Sequence, residues 1–234
     1  MKYTWLLFDA DGTLFDYDKA ESDALQKTCE ESGIDFSNFL HQRYREINFG
    51  IYKDYEMGLT SSHALRIKRF KRLFYELGLD PDITKFSEHY LVNLSKNSML
   101  IDGALETIRA LYPFYKMLLV TNGIADVQRP RFGNSAISRY FTDIIISDEI
   151  GFPKPAAQFF DSALQKIGDP SKKNVLIIGD TLTSDMAGGE NSGIDTCWYN
   201  PHRAINDSNI KISYEIFELQ ELIGILNIQK LPKD

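Results

Sequence analysis

Residues 3–13 read Tyr3-Thr4-Trp5-Leu6-Leu7-Phe8-Asp9-Ala10-Asp11-Gly12-Thr13, a bulky apolar run that stops on two carboxylates and a glycine. A short continuous apolar run suits a strand buried on both faces of a parallel sheet. Gly12 lets the chain turn sharply away from the strand end. Asp9 and Asp11, two apart, leave that end with side chains sent the same way. The apolar stretch before Asp9 is too short for a signal-peptide core or a membrane span, so the expectation is a cytoplasmic protein without a membrane partner.

Three further runs share this character: Lys116 to Val120, Asp143 to Ile146 and Val175 to Ile178. Thr196 to Tyr199 and Tyr214 to Ile216 are weaker strand candidates, the second leading into a closing helix around Leu219 to Leu226. Helical patterns at Gly103 to Leu111 and Ala157 to Ile167 separate these runs, and such alternation predicts a doubly wound, Rossmann-like α/β parallel sheet. Residues 16–98 carry no convincing strand, far more chain than one crossover of about 30 residues needs. They read as an inserted all-helical cap domain, with residues 1–15 and 99–234 forming the α/β core. Helices are expected at Lys19 to Ser32, Asn38 to Tyr55 and Asp82 to Asn97. Another follows the spacing of Ala64, Ile67, Phe70, Phe74 and Leu77, opened by Ser61-Ser62 and closed by Gly78 and Pro81.

With 43% hydrophobic residues in 234, the chain can bury a full core. A net charge of −7 disfavours a nucleic-acid polymer as partner, which needs a surplus of Lys and Arg. Cys29 and Cys197 read as buried free thiols, and the four histidines show no ligand spacing. A small anionic substrate remains compatible where positive charge is local.

Ligands of open α/β sheets bind beyond the carboxyl ends of the strands, so the residues after each run carry the chemistry. These are Asp9 to Thr13, then Thr121-Asn122-Gly123, then Gly179-Asp180 through Asp185. Lys154 follows the third run by eight residues, between Pro153 and Pro155. Carboxylates so close repel one another unless a cation sits among them, and an all-oxygen donor set suits Mg²⁺. Beside a metal-held phosphate, Asp9 is placed to attack phosphorus, and Asp11 to serve as general acid and base. Thr121, the backbone N–H groups of Asn122 and Gly123, and the Lys154 ammonium would hold the phosphoryl oxygens.

These motifs, in this order, resemble those of the haloacid dehalogenase superfamily of phosphatases. The resemblance implies that Asp9 and Asp180 ligate Mg²⁺ together with the Asp11 carbonyl, that Asp185 supports the metal shell, and that the insertion is the helical cap of the first subclass. Thr121 to Arg131 (TNGIADVQRPR) and Gly193 to Pro201 (GIDTCWYNP) look like bacterial pyrimidine 5′-nucleotidases of the house-cleaning type. That similarity implies a phosphomonoester hydrolase acting through an aspartyl phosphate on a small phosphorylated metabolite, a nucleoside monophosphate. Rival readings are a sugar-phosphate phosphatase or phosphomutase, a dehalogenase, and a non-catalytic binding protein. Relatives commonly continue Lys-Pro-Asp-Pro where this chain has Lys154-Pro155-Ala156-Ala157, a change expected to alter a helix start and not the chemistry.

Arg129 and Arg131 stand between two readings, contacts to a substrate's base or sugar and pairing with acidic neighbours. Arg66, Lys68, Arg69, Lys71 and Arg72 read as one solvated helix face, and Phe36, Phe39, Tyr44 and Phe49 as cap core.

Overall fold

In the computed structural model, which describes residues 2–227, the opening apolar run forms strand β1 (Trp5–Asp9), buried along its whole length. Four helices follow: α1 (Tyr17–Glu31), α2 (Asn38–Glu56), α3 (Ser62–Leu77) and α4 (Ile83–Ser95). Helix and strand then alternate through α5 (Ala104–Leu111), β2 (Lys116–Thr121), α6 (Ala125–Asn134), β3 (Asp143–Ile146) and α7 (Ser147–Ile150). The rest comprises α8 (Ala157–Lys166), β4 (Val175–Gly179), α9 (Ala187–Ser192), β5 (Asp195–Tyr199), β6 (Tyr214–Ile216) and α10 (Glu221–Ile225).

Every strand pairing is parallel, and the spatial order is β3-β2-β1-β4-β5-β6. The expected doubly wound α/β sheet is therefore the fold. Its winding direction reverses beside β1, opening a crevice beyond the ends of β1 and β4. Leu6 and Phe8 enter one core cluster with α5 and α10, whereas Trp5 and Leu7 enter another with α8. Helices thus cover both faces, which is why these strands read as unbroken apolar runs.

The strands end later than the apolar reading suggests. Asp9 pairs with Val120 and Thr121 with Ile146, so the first polar residue of each motif is still held in the ladder. Hydrogen bonding carries the strand one residue past the last apolar side chain, and the functional residue inherits that rigidity. Short α7, between β3 and Lys154, has no sequence signal of its own length.

Helices α1 to α4 begin on side chains that accept from backbone N–H groups three residues on: Asp16 from Lys19, Ser37 from Leu40, Ser61 from Ala64 and Asp82 from Lys85. Gly78 ends α3 in the left-handed conformation, φ +66°. These helices share an apolar cluster built on Tyr44, Phe70, Phe74, Phe86 and Tyr90, which also takes in Ile124 and Val127 beside α6. Two expectations fail here. Arg69 is buried in this cluster, with its guanidinium against the rings of Phe70 and Tyr90, and Arg66 reaches across to Asp126 and Asp148. Phe39 and Phe49 are exposed, each at 64%. Both cysteines are free and buried, and among the described residues no helix is long and apolar enough to cross a membrane.

Candidate active site

Asp9 ends β1, and Asp180 follows β4 directly beside it. After Asp180 the chain makes a π-helical turn, Leu182–Met186, in which Thr181 O accepts from both Asp185 N (3.0 Å) and Met186 N (3.3 Å). The wider turn aims Asp185 back at the strand end. Its Oδ2 accepts from Thr181 N at 3.2 Å, upstream of the turn, and it caps no N–H of the helix that follows. Carboxylate oxygens of Asp9, Asp180 and Asp185 all lie within 4.8 Å of one another.

Glycine makes this convergence fit. A Cβ on Gly12 would stand 2.6 Å from Asp180 Oδ2, and one on Gly179 would collide with the Asp185 carboxylate. Gly12 also adopts φ +83°, costly for any other residue. Gly12→Ala is expected to displace Asp180 and lower kcat/KM by at least about a hundredfold while far-UV circular dichroism stays native. Near-normal turnover would count against this packing.

Lys154 is buried among these groups. Its Nζ donates to Asp9 Oδ1 (2.5 Å), Asp185 Oδ1 (2.6 Å) and Val120 O (3.4 Å). Burial alone would lower its ammonium, but Asp185 and Asp9 outweigh that and hold it above the ordinary lysine value. Burial pushes Asp9 well above the carboxylate range, with Lys154 pulling against it and Asp185 and Asp180 adding to it. Burial and then the Asp185 charge push Asp180 up to about 7. One ammonium therefore leaves the three carboxylates short of positive charge. The donors are all oxygens, and a hard divalent cation fits that deficit.

The loop after β2 closes the next side. Asn122 Oδ1 accepts from Lys154 N (2.7 Å), while its Nδ2 donates to Lys154 O (2.9 Å) and to Glu56 Oε1 (3.2 Å). The Asn122 side chain thus ties two loops and the end of α2 together. Gly123 N donates to Thr121 Oγ1 at 3.0 Å.

Asp11 is held from α6. Gln128 Nε2 donates to one carboxylate oxygen, and Arg131 Nη1 to the other at 2.5 Å. Arg131 is buried and donates through Nε to Asn97 O (2.8 Å), so it braces Asp11. Arg129 lies outside, paired with Glu149 at 2.6 Å. Each arginine is thus paired with an acidic neighbour. Gln128 escaped the sequence reading, although its position three residues before Arg131 puts both on one helix face.

Asp9, Asp11, Thr121, Asn122, Gly123, Lys154 and Asp185 line one cavity of about 290 Å³. Its opposite wall is Tyr17, Glu21, Arg45, Asn48, Phe49, Tyr52 and Glu56. Four of these, Arg45, Asn48, Tyr52 and Glu56, recur at helical spacing along α2, a signal hidden by the mixture of polar and aromatic types.

The model of the haloacid dehalogenase-like hydrolase family matches residues 3–193. The chain is 36% identical to the putative HAD-hydrolase YfnB of Bacillus subtilis, over 97% of each chain. The crystal structure of that protein bound to magnesium superposes with a TM-score of 0.91 over 97% of this chain and 100% of that one. It is also 36% identical to the pyrimidine 5′-nucleotidase PynA of Streptococcus pneumoniae, over 100% of this chain and 99% of the relative. Identity to the pyrimidine 5′-nucleotidase YjjG of Escherichia coli is 32%, over 97% and 99%. Motif order, sheet topology and full-length similarity agree: the chain belongs to the haloacid dehalogenase-like hydrolase family.

Proposed function

We propose that this protein is a Mg²⁺-dependent phosphomonoester hydrolase working through an aspartyl phosphate on Asp9, with pyrimidine nucleoside 5′-monophosphates as substrates. The observation that carries the reaction class is the meeting of Asp9, Asp180, Asp185 and Lys154 at one sheet edge, with Asp9, Asp185 and Lys154 lining the cavity. Two full-length relatives named as pyrimidine 5′-nucleotidases support the substrate.

Asp9 and Asp180, with the Asp11 carbonyl, would hold Mg²⁺, and Asp185 would support that set. Bound there, the cation neutralises phosphoryl oxygens and offsets the crowded carboxylates. Asp9 attacks phosphorus in line with the departing alkoxide. Asp11, present as its carboxyl form in the substrate complex, gives that proton to the alkoxide, and in the second step regains one from the water that attacks the aspartyl phosphate. Lys154, Thr121 and the Asn122 and Gly123 backbone hold the phosphoryl oxygens as charge builds on them. Residues 16–98 act as the cap, with α2 as the wall that meets the leaving group and excludes water.

Phosphate release from dUMP, dTMP, dCMP, dAMP and β-glucose 1-phosphate, ranked by kcat/KM, tests the reading. Pyrimidine nucleotides are expected first. A sugar phosphate ranking first, or isomerised sugar phosphate in place of free phosphate, would favour the sugar-phosphate rival.

Metal dependence carries its own pH signature. Because Asp180 is raised from 3.8 to about 7, the metal-free fold binds a proton more tightly than the unfolded chain does. Its stability therefore falls as pH climbs through that interval and levels off above it. Mg²⁺ pairs with the ionised carboxylate, so the gain in Tm on adding Mg²⁺ should grow from about pH 5.5 to about pH 7.5 and then flatten. A gain independent of pH would contradict Asp180 as a ligand.

A further inference from the structure

Arg69 is 1% exposed, yet among the described residues no carboxylate lies within ion-pair distance of it. Its Nε and Nη2 have no hydrogen-bond partner. Ring centroids of Phe70 and Tyr90 lie 5.0 and 4.9 Å from the guanidinium carbon. Burial pushes the phenols of Tyr17, Tyr44, Tyr52 and Tyr90 up, so none of them supplies a counter-charge. Nη1 alone bonds, to Tyr44 Oη and to Asn48 Oδ1, each at 3.4 Å. A buried cation without a partner anion is expensive, and the feature it acts on is Asn48.

A guanidinium offers only donors. The Asn48 atom facing Arg69 is therefore the amide oxygen, because the reverse orientation would set NH₂ against a cation. The amide nitrogen points the other way. One of its hydrogens goes to Tyr17 Oη at 3.4 Å. Asn48 lines the cavity, and its second amide hydrogen is left available to an occupant. Phe49 and Tyr52, on the same wall, add flat apolar surface suited to a planar ring.

We infer that Arg69 is a positioning residue that locks Asn48 as a hydrogen-bond donor to a carbonyl oxygen on the leaving group. The site thereby favours nucleotides whose base carries a carbonyl, as every pyrimidine base does, over adenine nucleotides. This inference rests on the nucleotide reading above and names the residues that would enforce it.

The test uses the full chain with Mg²⁺, on dUMP, dTMP, dAMP and p-nitrophenyl phosphate. Asn48→Asp keeps the side-chain shape and gives Arg69 an anion, so the fold is retained while the donor is lost. The ratio of kcat/KM for dUMP to that for p-nitrophenyl phosphate should fall roughly ten- to hundredfold, through KM and not kcat. The dAMP ratio should stay put. Arg69→Met, which frees the amide to flip, should produce a smaller loss with the same selectivity. An unchanged dUMP ratio in Asn48→Asp overturns the lock and leaves the pyrimidine-nucleotide reading standing, whereas wild-type preference for dAMP overturns the lock together with the pyrimidine preference and leaves only the phosphomonoesterase class. Wild-type protein that hydrolyses p-nitrophenyl phosphate but no nucleotide overturns both.

Discussion

Asp9→Asn is expected to remove phosphatase turnover, by about four to six orders of magnitude, while the protein stays folded. Asparagine keeps the size of the side chain but cannot attack phosphorus or form the acyl phosphate. The fold should tolerate the change, because burial, Asp185 and Asp180 all act against the ionised Asp9 carboxylate. Relieving that repulsion offsets the lost negative charge opposite Lys154, whose ammonium still holds Asp185 at 2.6 Å. Tm without metal should therefore stay level or rise at neutral pH, and the gain on adding Mg²⁺ should shrink. Steady-state kinetics and thermal unfolding, with and without Mg²⁺, check both statements. Turnover near the wild-type rate would end the assignment of Asp9 as nucleophile.

Lys154→Met is expected to do the opposite to stability. Methionine fills the space but strips the counter-charge from two buried carboxylates. Breaking a buried pair from one side costs about 3–5 kcal/mol. Since Lys154 is held above its ordinary value of 10.5, its contribution is complete at neutral pH and disappears only as pH rises past that value. Mg²⁺ should restore part of the lost Tm, because the cation supplies charge to the same carboxylates. It should not restore rate, and kcat should remain about a hundred- to a thousandfold down. Equal Tm in variant and wild type, measured without metal between about pH 6 and 8, would contradict the charge balance described here.

The strands, and which residues follow them, were legible in the sequence for one physical reason. A parallel strand buried on both faces must be apolar until it ends, so the first polar residues after Phe8, Val120 and Ile178 stand at the sheet's carboxyl edge. Helix α3 was legible from its ends, where Ser61 caps its start and Gly78 closes it. The departure at Ala156 was legible too: α8 starts there without a side-chain cap, and Lys154 keeps its place.

Tertiary partners were not legible. Arg69 sits in a basic stretch that periodicity marks as solvated, and its burial rests on aromatic surroundings supplied by Tyr44 of α2, Phe70 of α3 and Tyr90 of α4. Nor were the partners of Arg131, since Asp11 and the Asn97 carbonyl meet it from elsewhere in the chain. Asn48 carries no motif, and its importance comes from which face of α2 looks into the cavity.

Two successive in-line displacements at phosphorus, one by Asp9 and one by water, must return the configuration with which the substrate began. The stereochemical course with a chiral, oxygen-isotope-labelled phosphorothioate monoester is therefore the most direct measurement. Retention is the expected result, and inversion would mean that water attacks the substrate directly and Asp9 captures nothing.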